Sequence, residues 1–163
     1  MRRAGGAALA LAVALIGAGA ALAGGTPFEG AWFSITVPAG FAVEEVRPSG
    51  SGEGAEAIRL HAPDGRAAIF VHAPQWAAEA PEARPADGER LVAARDRHRG
   101  SVTTSWRLFA HEQTGHRRKL RIVADSLGPT LIVSGLEYAD RAALAQWHSA
   151  HVSAIASIER YAD

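Results

Sequence analysis

Trp32-Phe33-Ser34-Ile35-Thr36-Val37-Pro38-Ala39-Gly40-Phe41-Ala42-Val43 decides how this chain folds. Phe33, Ile35 and Val37 alternate with Trp32, Ser34 and Thr36, the period-2 pattern of a strand with one buried face. Pro38 has no N–H to give a ladder and Gly40 tolerates positive φ, so the chain turns there. Phe41, Val43 and Glu45 then share a face of a second strand that ends near Arg47-Pro48. The stretch specifies a fold and carries no chemistry.

Upstream of it, residues 1–23 read as a cleaved signal peptide, leaving 24–163 as a single α+β domain. Arg2 and Arg3 form a positive start, Ala7 to Ala21 is wholly Ala, Leu, Val, Ile and Gly, and Ala21-Leu22-Ala23 is a small-x-small cleavage site. A membrane-spanning helix needs roughly 20 apolar residues with flanking anchors, so Sec export to the periplasm or beyond is expected, with a retained anchor as the alternative. Gly24 to Gly30 reads as a polar lead-in. Loss of Arg2 and Arg3 leaves 15 basic residues against 17 acidic ones, a net charge near −2. A nucleic-acid partner would want a strong basic excess. The chain has no cysteine, so disulfides, thiolate metal sites and thiol catalysis are all excluded, and packing alone must hold the domain.

Downstream, Ser49 to Gly54 reads as a flexible Gly/Ser loop. Ile58 and Leu60 alternate with Arg59 and His61, Pro63-Asp64-Gly65 makes a turn, and Ala68 to His72 returns as the partner strand. Ala73 to Asp87, with Pro74, Pro81 and Pro85, is a long loop around Trp76. The residues from Asp87 to Gly100 predict a short central helix, with Asp87 as N-cap, Leu91, Val92 and Ala94 inward, and arginines in the last turn. Val102 to Asp125 predicts a long hairpin closed by Gln113-Thr114-Gly115, pairing Leu108 with Leu120 and Ala110 with Arg118. In that register Trp106, Leu108, Leu120, Ile122 and Ala124 line one face, and Ser105, Arg107, His111, Arg117, Lys119 and Arg121 the other. Thr130 to Glu137 predicts an interior strand, and Asp140 caps a last helix, Arg141 to Arg160, with Leu144, Trp147, His151, Ile155 and Ile158 on one stripe. Trp106 and Trp147 read as core.

Few residues suggest chemistry. Of seven histidines, His148 and His151 lie three apart on the predicted helix, close enough to share an ion, but residues 148 to 151 read His-Ser-Ala-His and lack the metalloprotease pattern. His151 on the apolar stripe also suits a core histidine. Arg107, Arg117, Lys119 and Arg121 form a basic patch that would take an anion or an acidic partner, or simply keep a sheet face solvated. No nucleophile elbow and no phosphate-binding glycine motif occurs in the mature region, and no cofactor is expected.

The order of elements resembles the PsbP-like fold, which occurs in photosystem extrinsic subunits, a Ran-binding nuclear import factor and many small exported bacterial proteins. The residues that carry the resemblance are Ile35, Val37, Pro38, Gly40, Phe41, Pro63, Gly65, Trp147 and Ile158. It implies an α+β domain, an antiparallel β-sheet of six or seven strands covered by a central helix and a C-terminal helix, used as a binding or accessory module rather than an enzyme. The expected function is a non-enzymatic binding protein of the cell envelope, its partner another envelope protein. The alternatives are an exported metal-binding protein or hydrolase using histidines, and a lipocalin-like carrier of a small apolar ligand.

Overall fold

The computed structural model of the chain describes residues 24–50, 54–75, 80–128 and 130–161. Residues 1–23, which the sequence reads as a signal peptide, Trp76, and the middle of the 49–54 loop lie outside the described residues. Among the described residues ten strands and one α-helix follow in order: β1 (Thr26–Glu29), β2 (Phe33–Val37), β3 (Ala42–Pro48), β4 (Ala55–His61), β5 (Ala67–His72), β6 (Glu89–Arg99), β7 (Val102–His111), β8 (Arg117–Asp125), β9 (Leu131–Tyr138), α1 (Arg141–Ala156) and β10 (Glu159–Arg160). A 3-10 turn at Pro81–Ala83 interrupts the long loop. Seven strands form one antiparallel sheet in the order β3-β4-β5-β9-β8-β7-β6, and β1-β2-β10 form a smaller one.

The opening stretch folds as its pattern dictates. Phe33, Ile35 and Val37 are buried on β2, Gly40 takes a φ of 80°, and Phe41 N–H donates to the Pro38 carbonyl at 3.1 Å. Beyond the turn the pattern weakens, because β3 is an edge strand and Val43 is exposed. The lead-in before Trp32 is not loop throughout, since β1 pairs with β2 from Thr26 to Glu29. The β4–β5 hairpin and the interior position of β9, between β5 and β8, are as expected.

Two elements differ from the sequence reading. No central helix forms: Glu89 to Arg99 is β6, an edge strand that pairs with β7 from Glu89–His111 to Arg99–Val102. Its alanines, leucine and arginines favour a helix locally, but ten residues of cross-strand pairing with β7 prevail over that preference. A bulge at Val92 switches faces within the strand. The helix α1 also ends earlier than expected, at Ala156, and the chain returns as β10 beside β2. Ser157 closes it by donating to the Ala154 carbonyl at 2.8 Å while accepting the Thr36 N–H at 2.8 Å.

Two packed clusters lie on opposite faces of the main sheet. On one, Ile58, Leu60, Ile69, Val71 and Leu136 meet Phe33, Ile35 and Val37 of β2 and Ala143, Trp147, Ala150 and Ala154 of α1. The small alanines let α1 sit close over β9 and β5, with Leu144, Ile155 and Ile158 at its margins. Asp140 starts the helix by accepting the Ala143 N–H at 2.9 Å. On the opposite face Ala57, Phe70, Phe109, Leu120, Ile122, Leu131 and Val133 pack together under the segment around the 3-10 turn. The helix therefore covers one side of only half the sheet, touching β8 where His148 meets Lys119, and among the described residues β6 and β7 are uncovered on that side. No helix among the described residues is long and apolar enough to cross a membrane.

Candidate functional site

The uncovered half-face becomes a groove because the β7–β8 register places it there. Trp106 pairs with Arg121 and Leu108 with Lys119, so these four residues share a face, as directly opposed residues of an antiparallel pair must. Leu120 and Ile122 oppose Arg107 and Ser105 and point the other way. This is one residue off the expected register. The hairpin loop runs from Glu112 to Gly115, with His111 N–H donating to the His116 carbonyl at 2.8 Å. His111 Nδ1 accepts the N–H groups of Gln113 and Thr114 at 3.3 Å, and Gly115 takes a φ of 71°. One extra loop residue exchanges the faces.

The basic patch is therefore divided. Arg117, Lys119 and Arg121 alternate along β8 on the α1 side, while Arg107 lies on the opposite face and donates to Asp96 at 2.7 Å. The groove beside α1 has a volume of about 480 Å³. Trp106, Leu108 and Tyr138 supply its apolar floor, Ile155 and His151 its α1 wall, and Lys119 and Arg121 its charge. Trp106, read as core from the sequence, is half-buried here, and Arg95 of β6 lies over its ring at 5.6 Å.

His148 and His151 do come together, their rings 6.3 Å apart and tilted by 26°. Their nearest charged neighbour is a cation: Lys119 Nζ donates to His148 Nδ1 at 3.1 Å. Burial holds the Lys119 ammonium below its usual pKa. Burial, followed by the charges of Lys119 and His148, pushes His151 down to about 4, and its Nδ1 is buried with no hydrogen-bond partner among the described residues. Among the described residues no set of three or more His, Cys, Asp or Glu side chains converges as a metal site requires.

The opposite face holds more titratable groups, but they satisfy one another. His72, only 1 % exposed, accepts at Nε2 from Arg47 at 3.2 Å and donates from Nδ1 to Glu82 at 3.3 Å. A guanidinium has only donors, so Nδ1 carries the imidazole proton. Burial raises the Glu82 carboxyl, yet the His72 hydrogen bond and the nearby Arg47 charge hold it below its ordinary range. Arg118 donates to Glu89, to the Glu82 carbonyl at 2.7 Å and to the Arg84 carbonyl at 3.0 Å, and lies 4.5 Å over Phe109. A second hollow there, of about 380 Å³, is lined by both signs of charge. It reads as the seam that fastens the 80–88 segment to the sheet.

Sequence reasoning missed Arg95, Trp106, Tyr138 and Ile155 as site residues. The available signal was the two-residue spacing of Arg117, Lys119 and Arg121, which marks a single sheet face whatever the loop length.

No protein-family model matches the chain, and no curated protein does. Among solved structures it is similar to the PsbP of the cyanobacterium Synechocystis (CyanoP), at 10 % identity over 88 % of this chain and 96 % of that one, with a TM-score of 0.53. It also aligns with a protein from Bacteroides thetaiotaomicron, at 18 % identity over 85 % of this chain and 49 % of that one, with a TM-score of 0.49. The Ran-binding protein Mog1p of Saccharomyces cerevisiae aligns at 9 % identity over 78 % of this chain and 89 % of its own, with a TM-score of 0.42. The likeness to CyanoP shows a PsbP-like fold.

Proposed function

We propose that the protein is an exported, non-enzymatic binding module of the cell envelope, and that it binds in the groove between α1 and strands β6 to β8. The observation that carries the reading is the groove itself: about 480 Å³, within the roughly 300–1,000 Å³ of small-molecule sites, with an apolar floor and a few convergent polar groups. Export rests on the arginine-led apolar run and the Ala21-Leu22-Ala23 site. A chain beginning at Gly24 retains every strand and the helix of the described residues, because β1 starts at Thr26.

A carrier of a small ligand in this groove differs in build from a lipocalin. The main sheet is open, with β3 and β6 as edges, so a ligand enters from the side rather than through the mouth of a barrel. The test is native mass spectrometry of the protein recovered from its own envelope fraction. The reading expects a polypeptide starting at Gly24 with an additional bound mass, and loss of that mass when Leu108→Trp fills the groove. A cytoplasmic chain that begins at Met1 sinks the export half. A bound mass that survives Leu108→Trp sinks the groove half.

A further inference from the structure

The charge of the groove narrows what sits in it, an inference that rests on the binding role proposed above. Arg95, Lys119 and Arg121 supply its charge, Arg107 borders it from a position whose side chain lies on the other face, and no carboxylate is among the lining residues. Arg107 is matched by Asp96, and Arg95 is spread over the Trp106 ring. Lys119 and Arg121 form no ion pair with a carboxylate among the described residues, and Lys119 is half-buried with only an imidazole nitrogen beside it. A desolvated ammonium without a counter-ion is costly, and an arriving anion relieves that cost.

The spacing of charge and apolar surface says what kind of anion. Each cation of β8 lies directly across from an apolar residue of β7, Lys119 from Leu108 and Arg121 from Trp106. A polar head on the cations therefore has its body against the floor beside them. An inorganic anion leaves that floor exposed to water, and a neutral apolar ligand leaves the ammonium unpaired. We infer that the groove binds a small amphipathic carboxylate, its head on Lys119 and Arg121 and its apolar body against Trp106, Leu108 and Ile155.

Calorimetric titration of the protein beginning at Gly24, purified without detergent, tests this with decanoate and decanol, which share a chain and differ in the head. Decanoate binds, and decanol binds about tenfold or more weakly. Lys119→Met and Arg121→Met each weaken decanoate by about tenfold and leave decanol unchanged, while Lys119→Arg retains decanoate. Equal affinity for the two probes, or decanoate binding undiminished in both Met variants, overturns the charge assignment while the groove stands as a binding site. Absence of binding by either probe, in heat and in the emission of Trp106 (assigned with Trp106→Phe), overturns the groove reading as well. Arg121 is exposed, so Arg121→Met carries the test even where Lys119→Met fails to fold.

Discussion

Trp147 Nε1 donates to the Asp64 carboxylate at 3.0 Å, joining α1 to a turn 83 positions earlier in the chain. The same carboxylate accepts the Arg66 N–H at 2.9 Å, which forms the turn, and the backbone bond together with Trp147 holds Asp64 below its ordinary pKa. The Trp147 ring meets Phe41 edge-on at 5.2 Å, so helix, β4–β5 turn and opening stretch close on one indole. Trp147→Phe keeps most of the ring contact and removes the donor, and should lower unfolding free energy by about 1–2 kcal/mol. Asp64→Ala should also lower the urea midpoint, and the double variant should fall by less than the sum of the two. Strict additivity in that cycle counts against the bond.

His151 makes the fold sensitive to mild acid. Its pKa is about 4 in the folded protein against an ordinary 6.5, so between these values the unfolded chain binds the proton and the folded one does not. Stability is therefore complete above pH 6.5 and falls as pH drops toward 4, by on the order of 2 kcal/mol for a partly exposed group. Lys119 and His148, the charged groups nearest to it, push in the same direction. Glu82 and Glu89 are also depressed, but their loss begins only below their ordinary value of 4.5. His151→Leu should flatten the urea midpoint between pH 6.5 and 4.5 and leave the steeper acid limb in place. An unchanged slope speaks against the buried imidazole.

Arg118 donates to four acceptors on three residues, both carboxylate oxygens of Glu89 on β6 and the carbonyls of Glu82 and Arg84, and the two carbonyls fasten the 80–88 segment to the sheet. Arg118→Leu leaves the Glu89 carboxylate without its partner, and such a break costs about 3 kcal/mol. Arg118→Lys keeps the charge but not the planar fork, and should recover only part of that. Limited proteolysis should show new cleavage between Arg84 and Arg90 in the Leu variant. Resistance equal to wild type would detach the segment from Arg118.

Amide exchange distinguishes the strand β6 from the helix its composition suggests. An edge strand pairs alternate N–H groups and leaves the rest to water, so alternate amides of Glu89 to Arg99 should exchange quickly. A helix would protect every amide after its first turn. The amides of β9, bonded on both sides by β5 and β8, should be slowest of all.

The sequence is legible where burial constrains the pattern. Phe33, Ile35 and Val37 announce a strand by alternation because one face meets a core, the Pro63-Asp64-Gly65 hairpin shows in its turn residues, and β9 shows in a continuous apolar run because both of its faces are covered. The segment from Glu89 to Arg99 is almost wholly exposed, so no periodicity records its pairing, and local helix preference is all that shows. The β7–β8 register misleads for a related reason. Assigning apolar residues to one face assumes a dry side and a wet side, whereas Leu108 and Trp106 share theirs with Lys119 and Arg121. A mixed face is poor evidence for a core, and here it was the mark of the groove. The proximity of His148 and His151 was legible from helical spacing, but Lys119 beside them was not, because it arrives from another strand.

The offset of α1 divides labour across the width of the sheet. Strands β2, β4, β5 and β9 with the helix hold the tightly filled cluster, whereas the groove is floored largely by β7 and β8, whose side chains there meet open space. Substitutions at the groove-facing positions of those strands, Trp106, Leu108, Lys119 and Arg121, leave both buried clusters untouched, so this open face can change at small expense to folding. The β6–β8 meander is in that sense an exchangeable faceplate, its groove-facing side chains separable from the packing that holds the fold.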